Sequence, residues 1–161
     1  MSAPMTEDAE RQEILAEIAE AFAVPRPAWF VNAKHCCECA DHDELLSSRD
    51  LHSLKLEDVN NAGWDPVCFT TSEGFRYYIP ALVRLALESA TTSDWYFPQL
   101  LFHLIGDGPQ NRRVVCCSTA QQAAIATFLW HVLESNSELI AEYGIEEELQ
   151  RAIEIWSEST I

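Results

Sequence analysis

Residues 118–135, STAQQAAIATFLWHVLES, open on a Ser-x-x-Gln sequence and then run apolar at helical spacing. In such a capping box Ser118 accepts a hydrogen bond from the amide of Gln121, while the Gln121 side chain reaches back to the amide of Ser118. Ala124, Ile125, Phe128, Leu129 and Val132 then recur at three- and four-residue intervals, which places them on one face of a helix. A helix with so defined a start and so apolar a face requires neighbours to cover it, and the rest of the chain supplies them in helical form.

Upstream, Thr6 caps a helix expected to run to about Phe22, with Glu7 and Asp8 opposing the positive end of its dipole. Ile14, Leu15, Ile18, Ala21 and Phe22 form its inward stripe, and Glu10, Glu13, Glu17 and Glu20 its outward one. Pro25 and Pro27 stop it. Leu45 and Leu46 point inward after the next segment, and Asp50 to Pro66 reads as short helix and loop. VCFTT (67–71) is the one candidate short strand.

In TSEGFRYYIPALVRLALES (71–89), Thr71 or Ser72 caps a turn through Tyr77 and Tyr78, and Pro80 is expected at the first turn of a new helix, where its missing N–H is harmless. Ile79, Leu82, Leu85 and Ala86 face inward, with Arg84 and Glu88 paired outside. DWYFPQLLFHLIGDG (94–108) predicts another helix ending at Gly106. The tail makes one or two more, broken at Gly144, with Leu149, Ala152, Ile153 and Trp156 buried and Glu146, Glu147 and Glu148 outside. The expected architecture is mostly α: one domain over 1–161, a compact irregular bundle of about six helices with at most one short strand pair.

With 26 acids against 10 Lys and Arg, the net charge of −16 repels nucleic-acid phosphates and anionic lipid heads and attracts basic proteins. Excess acid also simply keeps a small protein dispersed. The N-terminal MSAPMTEDAERQEIL lacks the basic and apolar regions of a leader, and no apolar run approaches membrane-spanning length. The expectation is a cytoplasmic protein whose six cysteines stay reduced, with neither nucleic acid nor membrane as partner.

HCCECADH (35–42) concentrates three cysteines and two histidines. Cys36-x-x-Cys39 has half of a zinc-knuckle spacing, and His35 and His42 are near enough to complete a tetrahedral site. No second Cys-x-x-Cys follows, so the same residues also read as small buried hydrophobes. A thiol nucleophile is disfavoured because Glu38, Asp41 and Asp43 repel a thiolate. No nucleotide-binding, metalloprotease or serine-hydrolase motif occurs, so no catalytic residues are assigned. His103 and His131, each within an apolar helix, read as core histidines satisfied by a backbone group or a carboxylate.

HCCECADHDELL, GWDPVCFTTSEGFRYYIPALVRLAL, DWYFPQLLFHLIGDGPQNRR and CSTAQQAAIATFLWHVLE together resemble a bacterial family of small proteins of unknown function. That family shares a His-Cys-x-Glu-Cys box and a Gly-Phe-x-Tyr-Tyr-x-Pro-Ala core. The resemblance runs from about Phe22 to Leu133, implies a helical cytosolic domain, and carries no activity to transfer. Two functions are expected from the residues. One is binding of a basic protein, in the manner of an immunity protein neutralising a basic toxin, through Glu10, Glu13, Glu17, Glu20, Glu146, Glu147 and Glu148. The other is a small zinc-holding domain using Cys36, Cys39, His42 and His35.

Overall fold

The computed structural model describes residues 3–106 and 108–158. Nine α-helices are found there: α1 (Glu7–Ala21), α2 (Cys37–Ser47), α3 (Leu56–Val59), α4 (Ser72–Glu88), α5 (Phe97–Ile105), α6 (Arg112–Val115), α7 (Thr119–Ser135), α8 (Ser137–Tyr143) and α9 (Glu146–Ser157). Short 3-10 turns cover Pro66–Phe69, Ser89–Thr91 and Gly108–Gln110. The fold is mostly α, with nine helices rather than about six. The excess comes from α2 and the four-residue α6, pieces too polar or too short to show a hydrophobic period; α3 falls in the stretch expected as short helix and loop. Among the described residues no helix is long and apolar enough to cross a membrane.

The capping box forms, Ser118 Oγ accepting from the Gln121 amide and Gln121 Oε1 from the Ser118 amide. The other end of the Gln121 side chain donates to the carbonyl of Ala21, in the last turn of α1. One residue thereby starts α7 and satisfies the end of α1. The inward face of α7 is buried, with Ile125, Phe128 and Leu129 wholly inaccessible, and the helix packs on both α1 and α9. Helix α1 contributes Ile14, Ile18 and Phe22 to the same core, and α9 contributes Leu149, Ala152, Ile153 and Trp156. Each large side chain so enclosed stabilises the fold by about 1.5–3 kcal/mol. The Trp156 indole also donates to the carbonyl of Leu104, which locks α9 onto α5.

Two expectations are corrected. Pro80 lies inside α4, which runs unbroken from Ser72 to Glu88. The proline removes one backbone donor, and burial of Tyr78, Ile79, Ala81 and Leu82 on either side outweighs that loss. The residues 67–71 form no strand. Asp65 accepts from the Val67 amide and Pro66 sits at the first position, so the chain coils into a 3-10 turn. Only an isolated antiparallel bridge, Val31 to Thr70, remains there.

Gly74 is needed where it stands, because a Cβ there would lie 3.0 Å from the carbonyl oxygen of Phe30. One turn later the Tyr78 hydroxyl bonds the carbonyls of Leu46 and Arg49, and Arg84 donates to those of Leu51 and Leu54. Arg84 also pairs with Glu88 as expected, at 3.3 Å. Arg26 stacks over Phe30 and Tyr77 and donates to the Tyr77 hydroxyl and to the carbonyls of Ser47 and Arg49.

Burial pushes the Tyr78 phenol up to about 12, against an ordinary 10, with Arg26 opposing. Its protonated form therefore adds stability that is complete below pH 10 and lost as the pH rises towards 12. Tyr78→Phe is expected to lower stability by about 1–2 kcal/mol at neutral pH. It should also flatten the alkaline fall, as read from urea midpoints at neutral pH and on either side of the phenol's titration.

Candidate functional site

The box at residues 35–42 straddles the start of α2. Cys36 is the cap: its sulfur accepts from the Cys39 amide at 3.4 Å. Helix geometry brings Cys39 back under His35, with His35 Nδ1 and Cys39 Sγ 3.5 Å apart. A ligand atom from each of His35, Cys36 and Cys39 lies within 4.8 Å of the others. His35, Cys36 and Cys37 are exposed and Cys39 is buried, so this trio sits at the surface with one member anchored inside.

His42 does not join them. It is completely buried, its ring 4.6 Å from that of Trp64 and stacked on Phe69 at 5.1 Å. Its Nε2 meets Glu38 Oε1 at 3.3 Å, and its Nδ1 has no hydrogen-bond partner among the described residues. Asp43, the next residue, accepts from the amides of Phe30 and Val31 and so ties the preceding loop to α2. The first turn of α2 thus offers candidate ligands, and the second holds the helix in place.

Carboxylates were expected to raise every thiol in the box. At Cys39 burial raises it first, then Cys36, with Glu38 adding to the effect. Cys36 moves the other way: the Cys39 amide, the His35 ring and the Cys39 side chain lower its pKa, and the Glu38 amide adds to this. A sulfur at a helix N-cap is surrounded by N–H donors, which outweigh acid side chains pointing to solvent.

The seven glutamates fall into two sets. Glu13, Glu17 and Glu20 of α1 are exposed and Glu10 is half-buried. Glu10 and Glu13 line a cleft of about 260 Å³ between α1 and α7, which Glu134 closes from the α7 side. Met5, Trp130 and His131 line it too, with Trp130 49% exposed and Met5 48%. Three carboxylates thus share the cleft with an open indole, and no Lys or Arg lines it. Glu17 and Glu20 continue the acidic face away from it.

Glu146, Glu147 and Glu148 occupy the first turn of α9, where carboxylates oppose the positive helix end. Glu148 borders a groove of about 380 Å³, walled by Pro98, Leu101, Phe102, Ile105 and Ile145. Trp130, Met5 and Glu134 were not singled out in the sequence, and His131, expected in the core with a backbone or carboxylate partner, is instead half-buried at the cleft with its Nδ1 3.5 Å from the Ser135 hydroxyl. Trp130 nonetheless carried a signal, being a large aromatic at an outward position of an otherwise regular stripe.

The chain matches DUF6714, a family of unknown function, over residues 34–160, and it belongs to that family. No curated protein and no solved structure matches it. The matched segment includes α9 and its glutamates, which the sequence resemblance had left outside, while α1 and its glutamates lie before it.

Iodoacetamide at neutral pH is expected to modify Cys36 at least about tenfold faster than Cys39, since one thiol is exposed and acidified and the other buried. Peptide mass mapping over a time course checks the order.

Proposed function

We propose that this member of DUF6714 is a binding protein for a basic protein partner, and that the α1–α7 cleft receives a Lys or Arg side chain from it. The observation that carries the reading is the gathering of Glu10, Glu13 and Glu134 around the exposed Trp130 with no Lys or Arg among the lining residues. Like charges brought together without a counter-charge repel, and a partner's cation relieves that repulsion. The indole face adds a cation–π contact of about 0.5–1 kcal/mol at an exposed site. The net charge of −16 supplies long-range attraction to the same kind of partner. Glu17 and Glu20 extend the surface beyond the cleft. Within a bacterial cytosol, an immunity protein that blocks a cationic toxin fits this chemistry.

A second reading rests on His35, Cys36 and Cys39, whose ligand atoms already converge at the surface. They would hold a zinc ion with water or a partner's side chain in the fourth position. Native mass spectrometry is expected to show bound zinc that chelator removes, with one zinc fewer in Cys36→Ser/Cys39→Ser than in the unsubstituted chain. An unchanged zinc count, or an apo mass under every condition, ends this reading.

For the first reading, titration with an arginine-rich helical peptide is expected to change the Trp fluorescence. Binding should weaken as salt shortens the screening length. Replacing Glu10, Glu13 and Glu134 by Gln should weaken it by about tenfold, at roughly 0.5 kcal/mol for each exposed pair. Trp130→Phe should remove most of the optical response. Affinity that ignores both salt and the three substitutions would sink the proposal.

A further inference from the structure

Apart from the cleft and the box, the 3-10 turn Pro66–Phe69 meets α5 through a set of buried polar groups. Asp65 opens the turn, and its Oδ1 accepts from the Val67 amide at 2.9 Å. Its Oδ2 meets Gln99 Nε2 at 2.7 Å and His103 Nε2 at 2.6 Å. Asp65 is 3% exposed and His103 2%. Cys68 lies on the same turn and is exposed. Its sulfur, a His103 ring nitrogen and an Asp65 carboxylate oxygen all lie within 4.8 Å of one another.

Tyr96 supplies an independent sign that the cluster is built for something further. It is 1% exposed, and its hydroxyl has no hydrogen-bond partner among the described residues. Burial, then the charges of Asp65 and Cys68, hold this phenol well above the ordinary tyrosine range. A buried hydroxyl left without a partner is costly unless a ligand or water completes it.

We propose that Asp65, Cys68 and His103 form a binding site for a borderline divalent transition metal such as Zn²⁺, with water in the fourth, exchangeable position. One oxygen, one sulfur and one nitrogen donor make the three-ligand set of an open tetrahedral site. In that geometry the donor atoms stand roughly 3.3–3.8 Å apart, so the Asp65–His103 contact opens by about 0.7 Å as the metal takes Nε2, the neutral ring carrying its proton on Nδ1 and the Cys68 thiol releasing its proton to solvent. Asp65 keeps its bond from Val67, and Gln99, which also donates to the Val59 carbonyl at 2.8 Å, steadies it from behind. A carboxylate and a thiolate together neutralise the dication in this dry setting. The exposed Cys68 gives the metal its way in.

Co²⁺ is the probe, added to the full chain carrying Cys36→Ser/Cys39→Ser so that the thiols of the box cannot contribute. One equivalent is expected to bind, with the intense visible bands of a tetrahedral ion and a sulfur-to-cobalt charge-transfer band. Adding Cys68→Ser, a change at an exposed position that leaves the fold intact by circular dichroism, should abolish the charge-transfer band and weaken binding at least about 100-fold. Absence of cobalt bands in the Cys36→Ser/Cys39→Ser protein, or bands that survive Cys68→Ser unchanged, would overturn the proposal and leave Asp65 and His103 as a structural tie between the turn and α5.

Discussion

Backbone carbonyls that leave water must find donors, and in this protein one helix provides them for a long irregular stretch. Between α1 and α4 the chain runs for about fifty residues with only two helices, one of them a single turn. Such a segment could not lie against a core by apolar contact alone. Helix α4 answers with Gly74, which admits the Phe30 backbone, and with Tyr78 and Arg84, which bind the carbonyls of Leu46, Arg49, Leu51 and Leu54. Within the segment Arg26 donates to the carbonyls of Ser47 and Arg49, while Asp43 accepts from the amides of Phe30 and Val31. The position of α2, and of the cysteines at its start, follows from these bonds.

The surface above this scaffold is divided by chemistry. Soft ligands and the most acidified thiol of the box gather at the N-terminus of α2, where amide N–H groups point outwards. Hard negative charge collects along α1 and at the start of α9, which flank α7. The two glutamate sets have different physical grounds. Those of α9 complement a helix dipole and would be stabilising in any protein, whereas Glu10, Glu13 and Glu134 crowd a cleft that also exposes an indole. That contrast is why the binding role is assigned to the α1–α7 cleft.

Long helices were legible in the sequence because their signals are local. The Thr6 and Ser118 caps, the stripes of α1, α7 and α9, the Arg84–Glu88 pair and the break at Gly144, where φ is +65°, all follow from residues a few positions apart. Pro80 misled because its local rule was overridden by burial along the whole of α4. His103 was read as a core histidine satisfied by a backbone group or a carboxylate; it is buried and its partner is Asp65, 38 residues away, and no pattern at that distance exists to be read. The α1–α7 cleft was half legible: its glutamates were found through α1, while Trp130 and Glu134 became neighbours only when α7 packed beside it. His42 was grouped with the cysteines by spacing, yet the aromatic rings of Trp64 and Phe69, more than twenty residues on, draw it inward.

Helix α1 precedes the segment that defines the family, yet Ile18 and Phe22 are enclosed almost completely and Ala21 takes a hydrogen bond from the first turn of α7. The evolutionary boundary and the folding boundary therefore do not coincide. A polypeptide trimmed to the shared segment would uncover an oily strip along α7 and strand the Gln121 amide, inviting self-association.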